Sequence, residues 1–316
     1  MTDTLSSPPA TAGALDAPAV VRSEAPSWQV WTGLWIVYIV WGSTYLAIRY
    51  MVQTVPPLFG AGIRFVLVGA ILLPLLAWRR GPSVQRPSRA QLLSCAFVGL
   101  MLPGANAVIS VAEQKVASGV AALLVASIPL WIVLLRRLSG EAVSGRSIAA
   151  VLVGFAGVAL LVRPQGQATV LALLTCVGAA VMWAVGSFAS PRISLPRDPL
   201  VSVAWQSLLG GLACLLAALI GGELGDIHPA AWSTDSVLGL AYLVTFGSLL
   251  AYTAYAWLLQ NAPVSRVSTY AYVNPVIAVF LGWLFLAEPI SATTLIGAGI
   301  IVASVALVLR VESARK

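Results

Sequence analysis

The sequence predicts an all-α integral membrane protein, with ten transmembrane helices arranged as two inverted five-helix repeats. Of its 316 residues, 59% are hydrophobic and only 9% are charged, and the mean hydropathy is +0.92. Such a chain has too little polar surface to stay in water. Ten apolar runs approach the roughly 20 residues that a helix needs to cross a hydrocarbon core about 30 Å thick. The second half of the chain also repeats the first.

The repeat is clearest where residues 117–162 recur about 147 positions later, at 264–309. The matched residues include Ser118 with Ser265, Glu141 with Glu288 and Ser144 with Ser291, while Pro129 and Pro275 align after a one-residue shift. A second register of about 142 relates the earlier parts of each half, placing Trp41 on Trp183 and Arg64 on Gln206. The sequence therefore contains two copies of one membrane-spanning unit.

The elements follow from composition and run length. Residues 1–27 are rich in Ala, Pro, Ser and Thr and lack a helical period, which predicts a disordered cytoplasmic tail. The spans are predicted at 28–48, 58–78, 90–112, 117–137, 146–163, 169–189, 199–221, 236–259, 264–286 and 291–310. They form repeats at 28–163 and 168–310, followed by a cytoplasmic tail at 311–316. The short connections leave no room for a soluble domain.

The distribution of Lys and Arg fixes the predicted orientation. With the N-terminus in the cytoplasm, fourteen basic residues fall on the cytoplasmic side and three on the other, with Arg64 inside a span. Both termini are therefore predicted to be cytoplasmic. Because each repeat has an odd number of helices, the second repeat enters the membrane upside down. The net charge of +7 comes from basic residues scattered singly or in pairs between spans, which is typical of loop anchors and not of nucleic-acid binding.

Four motifs resemble a known family. They are WGSTYLAIR at Trp41–Arg49, GIRF at Gly62–Phe65, SGVAALLVASIP with the later Gly140-Glu141, and AYVNPVIAVFLGWLFLAEPIS in the last third. Together they resemble the EamA-like, ten-helix branch of the drug/metabolite transporter superfamily. The resemblance implies a carrier in a bacterial-type inner (plasma) membrane, with a central cavity walled by the first, third, fourth, sixth, eighth and ninth helices. It also implies movement of small metabolites, often outward.

Polar and aromatic side chains inside the spans are the candidates for the cavity wall, because such groups are costly in a bilayer unless they face water or a partner. They are Trp41, Thr44, Tyr45, Asn106, Trp183, Ser187, Tyr255, Tyr270, Tyr272 and Asn274. Each has a structural alternative. The tyrosines and Asn106 can serve helix packing instead, and Gly42 and Gly186 either open the helices to a substrate or let them pack closely.

A second set of residues is predicted to act in gating or in structure: Arg64, Gln206, Pro129, Pro275, Glu113 and Lys115. Arg64 can attract a substrate carboxylate or phosphate, although a structural or gating role is favoured, and Gln206 is its neutral match. Both prolines can bend their helices. Glu113 and Lys115 form either a gate pair or a solvated surface.

The sequence lacks the residues that several other functions would need. All acidic residues fall in tails, loops or span ends, which argues against proton exchange through a carboxylate at the membrane centre. His228 is the single histidine, and the three cysteines have no ligand spacing, so neither an enzyme, a metal site nor a cofactor is expected. The predicted function is a secondary carrier that exports small neutral or zwitterionic metabolites such as amino acids by alternating access. The alternatives are multidrug efflux of amphiphilic compounds and a membrane-embedded enzyme. A small molecule and the bilayer are the expected partners, and a monomer is the working assumption.

The orientation can be tested by cysteine labelling in intact cells. A membrane-impermeant maleimide should modify a cysteine placed at Asp226 but not one at Arg86, because these loops are predicted on opposite sides. Labelling of both positions, or of Arg86 alone, would refute the topology and the inverted repeat with it.

Overall fold

The computed structural model describes residues 26–81, 87–163, 168–262 and 264–314, and all regular structure within these ranges is helical. The predicted N-terminal tail lies outside the described residues up to residue 25, as do residues 315–316 of the C-terminal tail. The last helix continues to Ser313, three residues beyond the predicted end of the tenth span.

Thirteen helices are labelled in chain order within the described ranges. They are α1 Ser27–Met51, α2 Pro57–Arg80, α3 Arg89–Ala112, α4 Ser118–Val125, α5 Ile128–Leu138, α6 Gly145–Leu161, α7 Val170–Ala189, α8 Pro199–Ile220, α9 Thr234–Tyr242, α10 Ala251–Asn261, α11 Val264–Val267, α12 Tyr270–Leu286 and α13 Ala292–Ser313. A π-helical segment, Leu243–Leu250, joins α9 to α10.

Eight stretches of the described chain are long and apolar enough to cross a membrane. Two of them are composite: α4 and α5 together span Ser118–Leu138, and α9 continues through the π-helical segment as Thr234–Leu258. Two further apolar helices, Gly145–Leu161 and Tyr270–Leu286, are shorter, at 17 residues each. The prediction of an all-α membrane protein is therefore confirmed, while the count of ten spans and the inversion of the repeats stay predictions.

The matched loops of the two repeats begin and end their helices in the same way. Ser144 and Ser291 are N-caps whose hydroxyls accept from the Ser147 and Thr294 backbone N–H groups, both at 3.0 Å. Just upstream, Gly140 and Ala287 have φ values of 81° and 49°, in the left-handed region that ends many helices. Each is followed at once by a glutamate, Glu141 or Glu288.

The two halves pack directly on each other. Helix α2 contacts α8, α6 contacts α13, α3 contacts α7, and α1 contacts both α10 and α12. Small residues permit this approach: a Cβ on Gly210 would lie 2.7 Å from the backbone carbon of Gly99. Gly42 and Gly186 serve the same purpose, since a Cβ there would lie 2.8 Å from Ile277 Cβ and 2.6 Å from Met101 Cβ. Both α1 and α7 run through these glycines unbroken, so close packing is the alternative that the structure supports.

Candidate functional site

A cavity of about 390 Å³ lies between the two halves. Its wall comes from α1, α3, α4, α5, α7, α10, α12 and α13, with Arg64 contributed by α2. All six spans implied by the family resemblance take part, and the second and tenth spans add to them. The volume lies at the lower end of the range typical of small-molecule sites, roughly 300–1,000 Å³.

The structure brings nine of the ten predicted cavity residues together. The wall includes Trp41, Thr44, Tyr45, Asn106, Trp183, Ser187, Tyr255, Tyr270 and Asn274. Tyr272 is the exception and does not line the cavity. Successive residues of a helix are rotated by about 100°, so Tyr272 lies on nearly the opposite face of α12 from Tyr270, whereas Asn274 shares the Tyr270 face.

An aromatic cluster forms one side of the cavity. The Trp41 ring centroid lies 5.5 Å from that of Tyr252, 5.1 Å from Tyr255 and 5.2 Å from Tyr270. The Trp41 indole N–H donates to the carbonyl oxygen of Gly247 at 3.2 Å. Gly247 lies in the π-helical segment, and π-helical turns are frequent at functional sites. Tyr252 was not predicted in the cavity wall, although its spacing of three residues from Tyr255 places both on one helix face.

Arg64 brings a positive charge to the cavity wall while only 4% of it is exposed. Its Nε donates to Ser248 Oγ at 3.0 Å, and the guanidinium carbon lies 4.7 Å from the centroid of the Phe65 ring. No carboxylate in the described part of the chain forms an ion pair with it. Its repeat match Gln206 is not in the wall and donates to Ser202 Oγ on its own helix. The two matched residues, Arg64 and Gln206, therefore differ in charge, and only Arg64 lies in the cavity wall.

The other polar groups of the wall are held by local hydrogen bonds. Thr44 Oγ1 donates to the Trp41 carbonyl at 2.6 Å, and Asn106 Nδ2 donates to the Leu102 carbonyl at 3.2 Å. The amide nitrogen of Asn274 is placed to donate to the Tyr270 carbonyl, at 3.2 Å. Each group keeps an oxygen that can still accept a hydrogen bond. Asn106 thus lines the cavity while bonding within its own helix, and it does not link two helices.

The two predicted prolines line the cavity in different surroundings. Pro129 stands in the first turn of α5, directly after the break between α4 and α5 at Ala126–Ser127. Pro275 lies inside α12, which continues across it. Only the first proline accompanies an interruption of its span.

One end of the cavity reaches charged residues where α5 and α13 finish. Arg136, in the wall, donates from Nε to Glu141 at 2.7 Å and pairs with Glu312, also in the wall. Arg192 pairs with the other oxygen of Glu141. The side chains of Arg136 and Glu312 are 29% and 17% exposed, so solvent reaches this end.

The opposite end, called the sealed end below, is packed with the buried residues Val116 and Ser118, and Glu113 lies buried near them. This residue follows α3 and is 0% exposed, and neither of its carboxylate oxygens has a hydrogen-bond partner among the described residues. Arg49 donates to the Glu113 backbone carbonyl instead of the side chain. Burial, and secondly the charge of Glu288, raise the pKa of Glu113 well above its ordinary value of 4.5, against an opposing effect of Arg49. Of the two alternatives for Glu113 and Lys115, solvated surface charge holds for Lys115, which is exposed, but not for Glu113, which is buried. The two side chains do not pair, because neither Glu113 carboxylate oxygen has a hydrogen-bond partner among the described residues.

Known proteins resemble the chain over nearly its whole length. The sequence pattern of the EamA-like transporter family matches residues 30–163 and again residues 170–310. The uncharacterized inner membrane transporter YedA of Escherichia coli K12 is 36% identical over 284 residues, which cover 87% of this chain and 89% of YedA. The uncharacterized transporter YvbV of Bacillus subtilis is 25% identical, covering 88% of this chain and 90% of YvbV.

A solved crystal structure shares the fold. It is 23% identical, covers 92% of this chain and 99% of its own, and superposes with a TM-score of 0.61.

The buried Glu113 gives a prediction for stability. Below about pH 4.5 the carboxyl group is protonated in the folded and the unfolded chain alike, so Glu113→Gln and the wild type should melt similarly. Above that pH the unfolded chain releases the proton more readily than the folded chain. The wild type should therefore lose a few degrees of melting temperature relative to Glu113→Gln between about pH 5 and about pH 8 in detergent.

The control is Asp226→Asn, which removes an exposed loop carboxylate and should not change the pH dependence. If the melting temperatures of the wild type and Glu113→Gln change with pH by the same amount over this range, the buried carboxyl group does not cause the pH dependence.

Proposed function

The chain belongs to the EamA-like transporter family, and we propose that it is an inner-membrane secondary carrier that exports small neutral or zwitterionic metabolites, amino acids foremost among them. The observation that carries the proposal is the cavity between the halves, which combines one buried cation, Arg64, with an aromatic wall. The name of the relative YedA, an inner membrane transporter, supports the location.

The proposed mechanism is alternating access between two inverted repeats. In the repeat, α7 corresponds to α1, α3 corresponds to α10, and α4 and α5 together correspond to α12. The contacts of α1 with α10 and with α12 therefore have counterparts in the contacts of α7 with α3 and of α7 with α4 and α5. Such paired packing supports two related halves around a shared site. With both termini in the cytoplasm, the solvent-reached end at Arg136 and Glu312 faces inward and the sealed end faces outward. A substrate would enter this conformation from the cytoplasm, as an exporter requires.

The chemistry of the wall supports a zwitterion. Arg64 lacks a carboxylate partner in the described chain, so a substrate carboxylate can supply the missing counter-charge through paired hydrogen bonds. The faces of Trp41 and its neighbouring tyrosines can attract an ammonium group, and their apolar area can receive a side chain. The volume of about 390 Å³ suits a metabolite of amino-acid size.

Amphiphilic drugs are the competing substrate class, because the wall is mostly aromatic and aliphatic. A cationic drug, however, would meet Arg64 with no carboxylate in the inner cavity to offset the repulsion. Glu312 lies at the mouth of the cavity, already paired with Arg136. The charge of the wall therefore favours zwitterions over cations.

Counterflow in proteoliposomes tests the proposal. Proteoliposomes that contain the purified carrier and are loaded with unlabelled compound should accumulate the labelled form of neutral amino acids. The panel of compounds also includes nucleosides and amphiphilic cations. Tyr270→Ala and Trp41→Ala should raise the half-saturating concentration about tenfold or more, since each removes a ring from the binding wall. Arg64→Gln should weaken zwitterions more than neutral compounds, because only the former lose a counter-charge.

Tyr272→Ala is the matched control, since this tyrosine is on the same helix but away from the cavity, and it should transport like the wild type. If a well-folded carrier moves no amino acid but moves cationic drugs, the substrate assignment is wrong. Equal loss in Tyr270→Ala and Tyr272→Ala would assign the effect to helix packing.

A further inference from the structure

Glu288 binds the start of a helix in the other half of the protein. Its Oε1 accepts from the Ser118 backbone N–H at 2.7 Å, and its Oε2 accepts from Ser118 Oγ at 3.0 Å and from the Gly119 N–H at 3.2 Å. Ala117, at the N-cap position of α4, supplies no side-chain hydrogen bond. A carboxylate on these N–H groups is favoured by the partial positive charge of a helix N-terminus. Ser118 is fully buried in this contact.

The surroundings of Glu288 are shaped for this contact. Ala287 holds a left-handed conformation, with φ of 49°, that turns the chain at the end of α12. The Glu288 backbone N–H then donates to the Gly282 carbonyl at 3.2 Å. A Cβ on Gly282 would come within 2.8 Å of Ser118 Oγ and would also strike the Glu288 carboxylate. The contact thus joins the loop after α12 to α4 at the sealed end of the cavity.

Its repeat match makes a different contact. Glu141 also follows a left-handed residue, Gly140 with φ of 81°, but its carboxylate pairs with Arg136 and Arg192. By the register of the repeat, the positions equivalent to Ser118 and Gly119 are Ser265 and Arg266. The two matched helices also differ in length. Helix α4, whose start is bound by Glu288, has eight residues before its span breaks, whereas α11 has four.

We propose that Glu288 and Glu141 are alternating latches of the carrier. In the conformation described, Glu288 on Ser118 and Gly119 closes the outer end, and Glu141 is held aside by the two arginines. In the opposite conformation, Glu288 leaves α4, and Glu141 leaves the arginines to bind the backbone at residues 265–266, closing the cytoplasmic end. The inference rests on the proposed function, because it assumes two inverted halves that exchange conformations around one cavity.

The outer latch is tested with a buried reporter. Val116, fully buried beside the contact, is replaced by cysteine in a chain whose Cys95, Cys176 and Cys214 are changed to alanine. Glu288→Gln should speed labelling of that cysteine by an external impermeant maleimide about tenfold, because the charged contact that closes the outer end is lost. The matched control is Glu223→Gln. Glu223 likewise accepts from backbone N–H groups at the start of a helix, those of Leu58 and Phe59 in α2, but it has no place in the latch.

The exchange itself is tested by cross-linking two cysteine pairs in the same background. A cysteine pair at Ser118 and Glu288 should form a disulfide readily. Once this disulfide has formed, the outer end should stay closed to the external maleimide. A pair at Glu141 and Ser265 should form only when the cytoplasmic end closes, so Glu288→Gln should raise its yield several-fold. The alternating latch is excluded if external labelling rises in Glu288→Gln while the 141–265 pair never forms, or if Glu288→Gln labels no faster than Glu223→Gln.

Counterflow on the same preparations separates this inference from the proposed function. Intact amino-acid counterflow with unchanged labelling would refute the latch alone. Labelling and cross-linking as expected, in a protein that carries no compound of the panel, would refute the substrate proposal and leave the latch standing.

Discussion

The fold depends on one constraint, which is that every backbone group buried in the membrane must find a partner within the protein. Where α4 begins, its first residue Ser118 is buried, and Glu288 from the other half supplies acceptors for the N–H groups. Separately, glycines allow the close packing of α2 on α8 and of α3 on α7. Contacts between the halves therefore contribute to the stability of the protein.

The cavity follows from how the halves meet. In the π-helical segment, the Gly247 carbonyl accepts from the Trp41 indole, and the absence of a side chain at Gly247 leaves room for Arg64 nearby. The result is a wall in which aromatic faces lie beside a single buried cation. Arg136 and Glu312 mark the end that solvent reaches, whereas Glu113 lies buried at the end that is shut. In the proposed carrier, this asymmetry would leave the cavity accessible from one side of the membrane at a time.

Composition and apolar run length were enough to predict the helical membrane fold, and nine of the ten residues chosen for polarity within the spans line one cavity in the structure. Tyr272 lies outside that cavity wall, because polarity alone ignores helix rotation and the spacing from Tyr270 places Tyr272 on another face of the helix. The burial of Glu113 depends on how a short connection packs, which no local pattern reveals. The contact of Glu288 with Ser118 could not be predicted from a local pattern, since the two residues lie 170 positions apart in sequence. The π-helical segment has no sequence signal that distinguishes it from an ordinary helix.

In the proposed carrier, the two halves open and close the outer end around the contact of Glu288 with α4. The most direct measurement is the distance distribution between spin labels at Lys115 and Ile290, two exposed positions on either side of that contact, in proteoliposomes. The wild type should show a dominant short distance and a minor longer one, and the longer population should increase when a substrate is carried. A single distance, unchanged by substrate and by loss of the Glu288 charge, would contradict this proposal.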